Sequence, residues 1–395
     1  MRQTTHTRSA CPRRPRRRRE GFALAVAVAA IVVVGAIIAG VFFASTQEFR
    51  TGYNTVAEAR AFAAAEYGLN RPQSGWDNKQ NLIMANGSTN APLLYNLSSP
   101  RDSVTSKVWV SRLNDETFWV VSEGRYQPKG GTTTQLTAVK RTNAVLRLRT
   151  PSIRANGAIT VAGDVTVQGA AQVTGNNTIP TGWTGCDPTK PNKAGIIASP
   201  TAAVSIQQAT AVTGAPPVLR DTAAADTMNY VKYGDETWQS LVAQSKTFTG
   251  GAVMPSLDAN GNCNVSDPGN WGEPHRGAGS ITQCYNYFPI IYSPSSLDVN
   301  GNYYGQGILL VDGDLRINGT FEFYGIIIVK DDFNKGTGTA KVYGAVMAQN
   351  VKVQDGGSMF YGTTNYNYSE CAVTRSLRGS ASVVQAKERG WSQLY

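Results

Sequence analysis

Along this 395-residue chain the spacing of hydrophobic and polar positions changes several times, and each change predicts a different element. Phe22 to Ser45 is a run of 24 residues without a charge. At ~1.5 Å per residue it spans a ~30 Å hydrocarbon layer with some excess. It is also longer than the ~7–15-residue apolar region of a secretion signal. The following stretch, STQEFRTGYNTVAEARAFAAAEYGLN, continues as helix. Phe49, Tyr53, Val56, Phe62 and Leu69 recur at roughly helical spacing among Glu48, Arg50, Glu58, Arg60 and Glu66. Its alanines have high helix propensity. Gly68 and Pro72 predict the stop. The expectation is one rod of ~70 Å over residues 22–70, transmembrane over 22–45.

Beyond it the period falls to two. Residues 71–102, rich in Asn, Ser, Gly and Pro, read as loop. KVWVSRL and TFWVVSEGRY flank the turn Asn114-Asp115-Glu116, and TTTQLTAVKRTNAVLRLRT follows Gly130-Gly131. Their alternation predicts an antiparallel meander within residues 71–150. After Pro151, glycines at 157, 163, 169 and 175 punctuate β-branched residues. Three later lines then align: GILLVDGDLRINGTFEFY, GIIIVKDDFNKGTGTAKVY and GAVMAQNVKVQDGGSMFY. They begin at Gly307, Gly325 and Gly344, end at Tyr324, Tyr343 and Tyr361, and are followed by Gly362. That 18–19-residue repeat predicts coils of a parallel β-helix or solenoid over residues 151–375, with ordinary hairpins as the alternative. Between the two β stretches, residues 221–246 read as a helical insertion that caps the end of the solenoid, with Asp235 as an N-cap. Residues 376–395 read as a C-terminal tail. The fold class is therefore α+β, mainly β.

Charge alters the picture at one end only. The net charge of +10 suggests a nucleic-acid or membrane partner, but residues 1–21 take eight of the 37 basic residues and one of the 27 acidic. The remainder carries only +3, and it lacks the clustered Lys/Arg footprint of nucleic-acid binding. The arginines keep the leader cytoplasmic, so the body is exported. Within the span, Ala36, Gly40 and Ala44 form a four-residue small-side-chain stripe that permits close helix packing. Cys11 lies in the leader; Cys186, Cys263, Cys284 and Cys371 fall on the exported side, where oxidation is possible. Of three connectivities, Cys263–Cys284 with Cys186–Cys371 is favoured. No C-x-x-C occurs, and the histidines are only His6 and His275, so no metal and no cofactor is expected. Asp312, Asp314, Asp331 and Asp332 sit at matching phases of successive coils, where turns favour Asp; calcium binding or glycan cleavage is the alternative.

A basic leader, Gly21-Phe22, and an apolar half-helix running into Ala61–Leu69 (AFAAAEYGL) together resemble type IV pilin-like proteins, the minor-pilin group with a PilX-type N-terminal region above all. YGDETW, WGEP, CYNYFPIIY, GILLVDGDL and YSECAVTRSL are similar to stretches found behind such N-termini. The resemblance implies cleavage by prepilin peptidase between Gly21 and Phe22, methylation of the new terminus, and packing against other pilin-like subunits. Members that polymerise carry a glutamate where this chain has Val26. The implied protein is a non-catalytic minor or tip component, or pseudopilin, anchored by a single pass in a bacterial inner membrane, its body periplasmic or on the cell surface. A membrane-anchored β-helix carbohydrate-active enzyme or a surface adhesin is the alternative.

Overall fold

The computed structural model describes residues 22–76, 81–100, 102–129, 137–335, 338–348, 358–361, 364–386 and 391–394. The leader with Gly21, His6 and Cys11, the pair Gly130-Gly131 and Gly362 lie outside these residues.

Helix α1 (Phe22–Ser74) runs unbroken for 53 residues. It passes through Gly68 instead of stopping there, and Pro72 falls in its last turn. The reason is packing. Four strands form an antiparallel meander, β1 (Leu93–Asn96), β2 (Asp102–Arg112), β3 (Thr117–Pro128) and β4 (Ala138–Arg149), and the outer half of α1 lies on β2, β3 and β4. The buried helix face is Ala57, Ala61, Ala64, Ala65, Gly68, Leu69 and Pro72. A Cβ at Gly68 would overlap the hydroxyls of Ser106 and Ser122, which bond each other at 3.1 Å beneath it. A Cβ at Gly124 on β3 would overlap the carbonyl of Ala61. Gly68 therefore serves close approach, not termination. The larger residues at helical spacing divide: Leu69 is buried and Phe62 half-buried, whereas Phe49 is 83% exposed and Tyr53 and Val56 are exposed as well. At the closest approaches, Ala61 over Gly124 and Gly68 over Ser106 and Ser122, only small residues fit.

The stretch 71–102, expected as loop, contains the end of α1 and the short edge strand β1, which pairs with β2. Asn114 accepts a hydrogen bond from the Glu116 amide (2.9 Å), closing the turn between β2 and β3. Val108, Val110, Phe118, Val120, Leu146 and Leu148 join Leu69 in the meander core.

The second half consists of parallel strands in stacked register. Asn302–Val311, Thr320–Val329 and Thr339–Ala348 lie side by side, with Gly307 opposite Gly325 and Gly325 opposite Gly344. The offsets of 18 and 19 residues are those of the aligned lines. Each of these glycines has positive φ (113°, 146°, 142°), and a Cβ on one would overlap a carbonyl of the strand beside it. They bend the sheet at a corner only glycine fits. A second parallel sheet contains Leu297–Val299, Leu315–Ile317, Phe333–Lys335, Ser358–Tyr361, Val165–Gln168 and Val204–Ile206. Ile308, Leu309, Leu310 and Val311 are each 0% exposed, so their strand is covered on both sides.

Chain order and spatial order differ. Gly157–Val161 lies between Thr339–Ala348 and Ala194–Ala198. Val218–Arg220 and Lys246–Thr247 stand at opposite ends of the sheet, seven strand spacings or roughly 33 Å apart. Residues 221–246 make that return journey. Ala224 packs on Ala194 and Ile197 near one end, while Trp238 meets Tyr292 edge-on near the other. They form a strap along the flank of the sheet and not an end cap. Thr237, not Asp235, caps the helix Trp238–Gln244, sharing a capping box with Ser240.

Residues 376–395 also differ from a tail. Helix Glu370–Gly379 packs over the ten-residue strands. Ser382–Gln385 and Trp391–Leu394 then add to the edge of β4. The chain end thus closes the meander that its beginning started. Arg149 with Glu236 (3.1 Å) and Arg378 with Asp115 (2.9 Å) link the two halves.

Candidate functional site: the exposed helical stem

The first half of α1 is exposed and packs on no other element among the described residues. Its long apolar window is 0% buried, and Phe22, Ile31, Val41 and Phe42 are among its exposed side chains. By length and composition this helix can cross a membrane. Phe22 is its first residue. From Phe22 to Gln47 the helix carries no ionisable side chain, position 26 being valine. The polar residues just beyond the span return their hydroxyls to the helix. Thr46 donates to the carbonyl of Phe42 (2.8 Å), Thr51 to Gln47 (2.9 Å) and Thr55 to Thr51 (2.9 Å). This satisfies their donors without a partner chain or water.

Ala36, Gly40 and Ala44 are all exposed, and a Cβ on Gly40 would meet nothing within 4 Å. Gly35 and Gly52 stand in equally open space. The stripe is thus vacant in the single chain. Past the span, Phe49, Tyr53 and Val56 extend the apolar surface on the side away from the sheet. Polar contacts fix the stem on its body: Arg60 pairs with Asp102 (2.5 Å) and lies 5.2 Å from the Tyr126 ring centre, and Lys140 pairs with Glu58 (3.2 Å). Burial, then the hydrogen bond to Asp102, raises the Tyr126 phenol above its ordinary value.

The other residues singled out in the sequence have structural company. Cys186 is bonded to Cys371 and Cys263 to Cys284. Asp312 pairs with Lys330 (2.7 Å) and accepts from the Tyr292 hydroxyl (3.0 Å). Asp314 pairs with Arg316 (2.5 Å) and accepts from the Asp332 amide (3.1 Å). His275 lies 4.0 Å from Glu322, with its ring against Tyr304. Among the described residues no group of three His, Cys, Asp or Glu side chains could hold a metal ion.

Sequence reasoning missed one constellation. Trp183 stacks on Tyr324 (5.6 Å), with Arg375 and Arg276 on its ring at 4.7 and 5.3 Å. Its indole N–H donates to the Pro274 carbonyl (2.9 Å). These residues come from four distant segments, so no local pattern announces them.

No protein-family model matches the chain, and no curated protein matches it. Among solved structures, the competence-associated pilin ComZ from Thermus thermophilus aligns over 86% of this chain and 97% of that one, with 12% identity. The TM-score is 0.24, and so loose a superposition carries no argument about fold or function.

Proposed function

We propose that this chain is a non-catalytic, membrane-anchored pilin-like protein that takes part in assembling a type IV pilus or a related secretion filament. It acts as a minor or tip component. Its arginine-rich leader faces the cytoplasm, the stem of residues 22–70 crosses the inner membrane with residues 22–45, and the body from residue 71 onward is displayed outside, its stacked parallel strands over 151–375 a β-helix. Prepilin peptidase cuts between Gly21 and Phe22, and the stem packs on other pilin-like subunits through Ala36, Gly40 and Ala44.

One observation carries the reading: a single helix is wholly exposed and apolar over its first half and seated on an antiparallel meander over its second. A plain anchor needs no continuous rod joining the two. Leaving Phe49, Tyr53 and Val56 exposed outside the apolar span suits lateral packing against like helices. The pairing of Asp312 with Lys330 and of Asp314 with Arg316 gives no support to the glycan-cleaving alternative.

The test is the mass of the N-terminal peptide from membrane-extracted protein. An N-methylated Phe22 is expected. An intact Met1, or a terminus beyond residue 29, would sink the proposal.

A further inference from the structure

The stack has a seam. The strands Gly157–Val161, Val165–Gln168 and Gln172–Thr174 lie on Thr339–Ala348, Ser358–Tyr361 and Thr364–Tyr368, and all three strand pairings of that boundary join segments distant in sequence. Ile159 pairs with Val346, Val165 with Ser358, and Val173 with Tyr366. Elsewhere, neighbours such as Asn302–Val311 and Thr320–Val329 are successive turns of one continuous run, so the chain itself keeps them adjacent. At the seam the chain reaches from one side to the other only by its long detour through residues 175–338.

Residues 176–192 leave the first side of this boundary and lap over it. The Thr178 amide donates to the Tyr368 carbonyl (2.9 Å), and Asn177 accepts from the Glu370 amide (3.0 Å). Arg375 stacks on Trp183 and donates to the Thr184 carbonyl. The disulfide Cys186–Cys371 then fastens the loop to the first turn of helix Glu370–Gly379. Cys371 is buried, while Cys186 is half-buried on a surface loop. The second disulfide, Cys263–Cys284, closes a local loop and does not bridge the boundary.

We infer that residues 176–192 are a redox-sensitive clasp, and that the Cys186–Cys371 bond sets whether the seam of the stack is locked or able to open. A dithiol reductant delivers two electrons and two protons to this bond. The products are two cysteine thiols and the reductant's own disulfide. The seam is then held by hydrogen bonds and packing alone, and it becomes the plane along which the stack opens below global unfolding. The inference concerns the body alone and stands or falls independently of the pilin reading.

The test is amide hydrogen exchange on the full-length protein in detergent. Wild type is compared, oxidised and after dithiothreitol, with Cys186→Ala/Cys371→Ala and with Cys263→Ala/Cys284→Ala. Loss of the long-range bond should speed exchange about tenfold or more in peptides covering 157–174 and 364–368, leaving 302–329 unchanged. Cys263→Ala/Cys284→Ala should leave the seam protected. Equal acceleration throughout the stack, no acceleration, or the same seam response in the Cys263→Ala/Cys284→Ala variant would overturn the clasp. If Cys186→Ala/Cys371→Ala fails to fold, stepwise reduction of folded wild type gives the same comparison.

Discussion

Glycine sets the closest approaches in this molecule, for two different reasons. Gly307, Gly325 and Gly344 combine positive φ with backbone crowding, whereas Gly68 and Gly124 are constrained by crowding alone. Gly124→Val would push its side chain into the Ala61 carbonyl on α1, where no flexible group can give way. It should destabilise the protein by about 3 kcal/mol, seen as a lower urea midpoint at unchanged slope. Charge contributes more modestly. The Asp115 carboxyl is held below its ordinary value by its hydrogen bond to Asn86, then by Arg378 and Arg112. Its folded value lies below its unfolded one, so its contribution is fully present above the unfolded carboxylate range and disappears as pH falls through the folded value. Because the side chain is half exposed, the effect is less than about 1 kcal/mol. Between pH 6 and 3, Asp115→Asn should show a shallower loss of melting temperature than wild type. Equal slopes would remove Asp115 from the acid response.

The helix divides its two faces by side-chain size. Alanine and glycine let the outer half lie close to the strands, and Phe49, Tyr53 and Val56 are left outward. Helical periodicity alone marks both faces as candidates, and hydrophobic size does not choose between them: Leu69 is buried while Phe49, Tyr53 and Val56 are exposed. What decides is the distance from helix to sheet, which depends on Gly124, Ser106 and Ser122 some 40–60 residues away. The inner half leaves the stripe Ala36, Gly40 and Ala44 exposed, and the proposed function assigns it to packing against a like helix. Under the proposed function, Gly40→Leu should greatly reduce co-purification of other pilin-like proteins from membranes. Thermal unfolding of the body should not change, because Gly40 touches nothing in its own chain. Undiminished co-purification would remove the stripe from the interface.

The whole molecule is closed by segments far apart in sequence. The last strands, Ser382–Gln385 and Trp391–Leu394, complete the meander on β4, and residues 157–174 join the run begun at residue 246 to Ala194–Ala198 and Val218–Arg220 beyond them. Arg149–Glu236, Arg378–Asp115 and Cys186–Cys371 then tie these closures. Each disulfide contributes about 2–4 kcal/mol, the longer loop the more in the chain-entropy account. Such long-range closure implies slow formation of the final arrangement compared with α1 or the β2–β3 hairpin.

From the sequence alone follow the apolar span, the continuation of its helix, the hairpin around Asn114–Glu116 and the 18–19-residue phase of the later strands. Each of these is encoded by neighbours: periodicity, turn residues, or the offset between successive lines. Tertiary structure decided which face of the stem is buried, that residues 221–246 run as a strap, and that Gly157–Val161 inserts beside Thr339–Ala348. The physical reason is degeneracy. Every turn of the stack offers a similar apolar run and similar backbone edges, so local pattern specifies that turns stack but leaves their order to side-chain fit and to the path the connecting chain must travel.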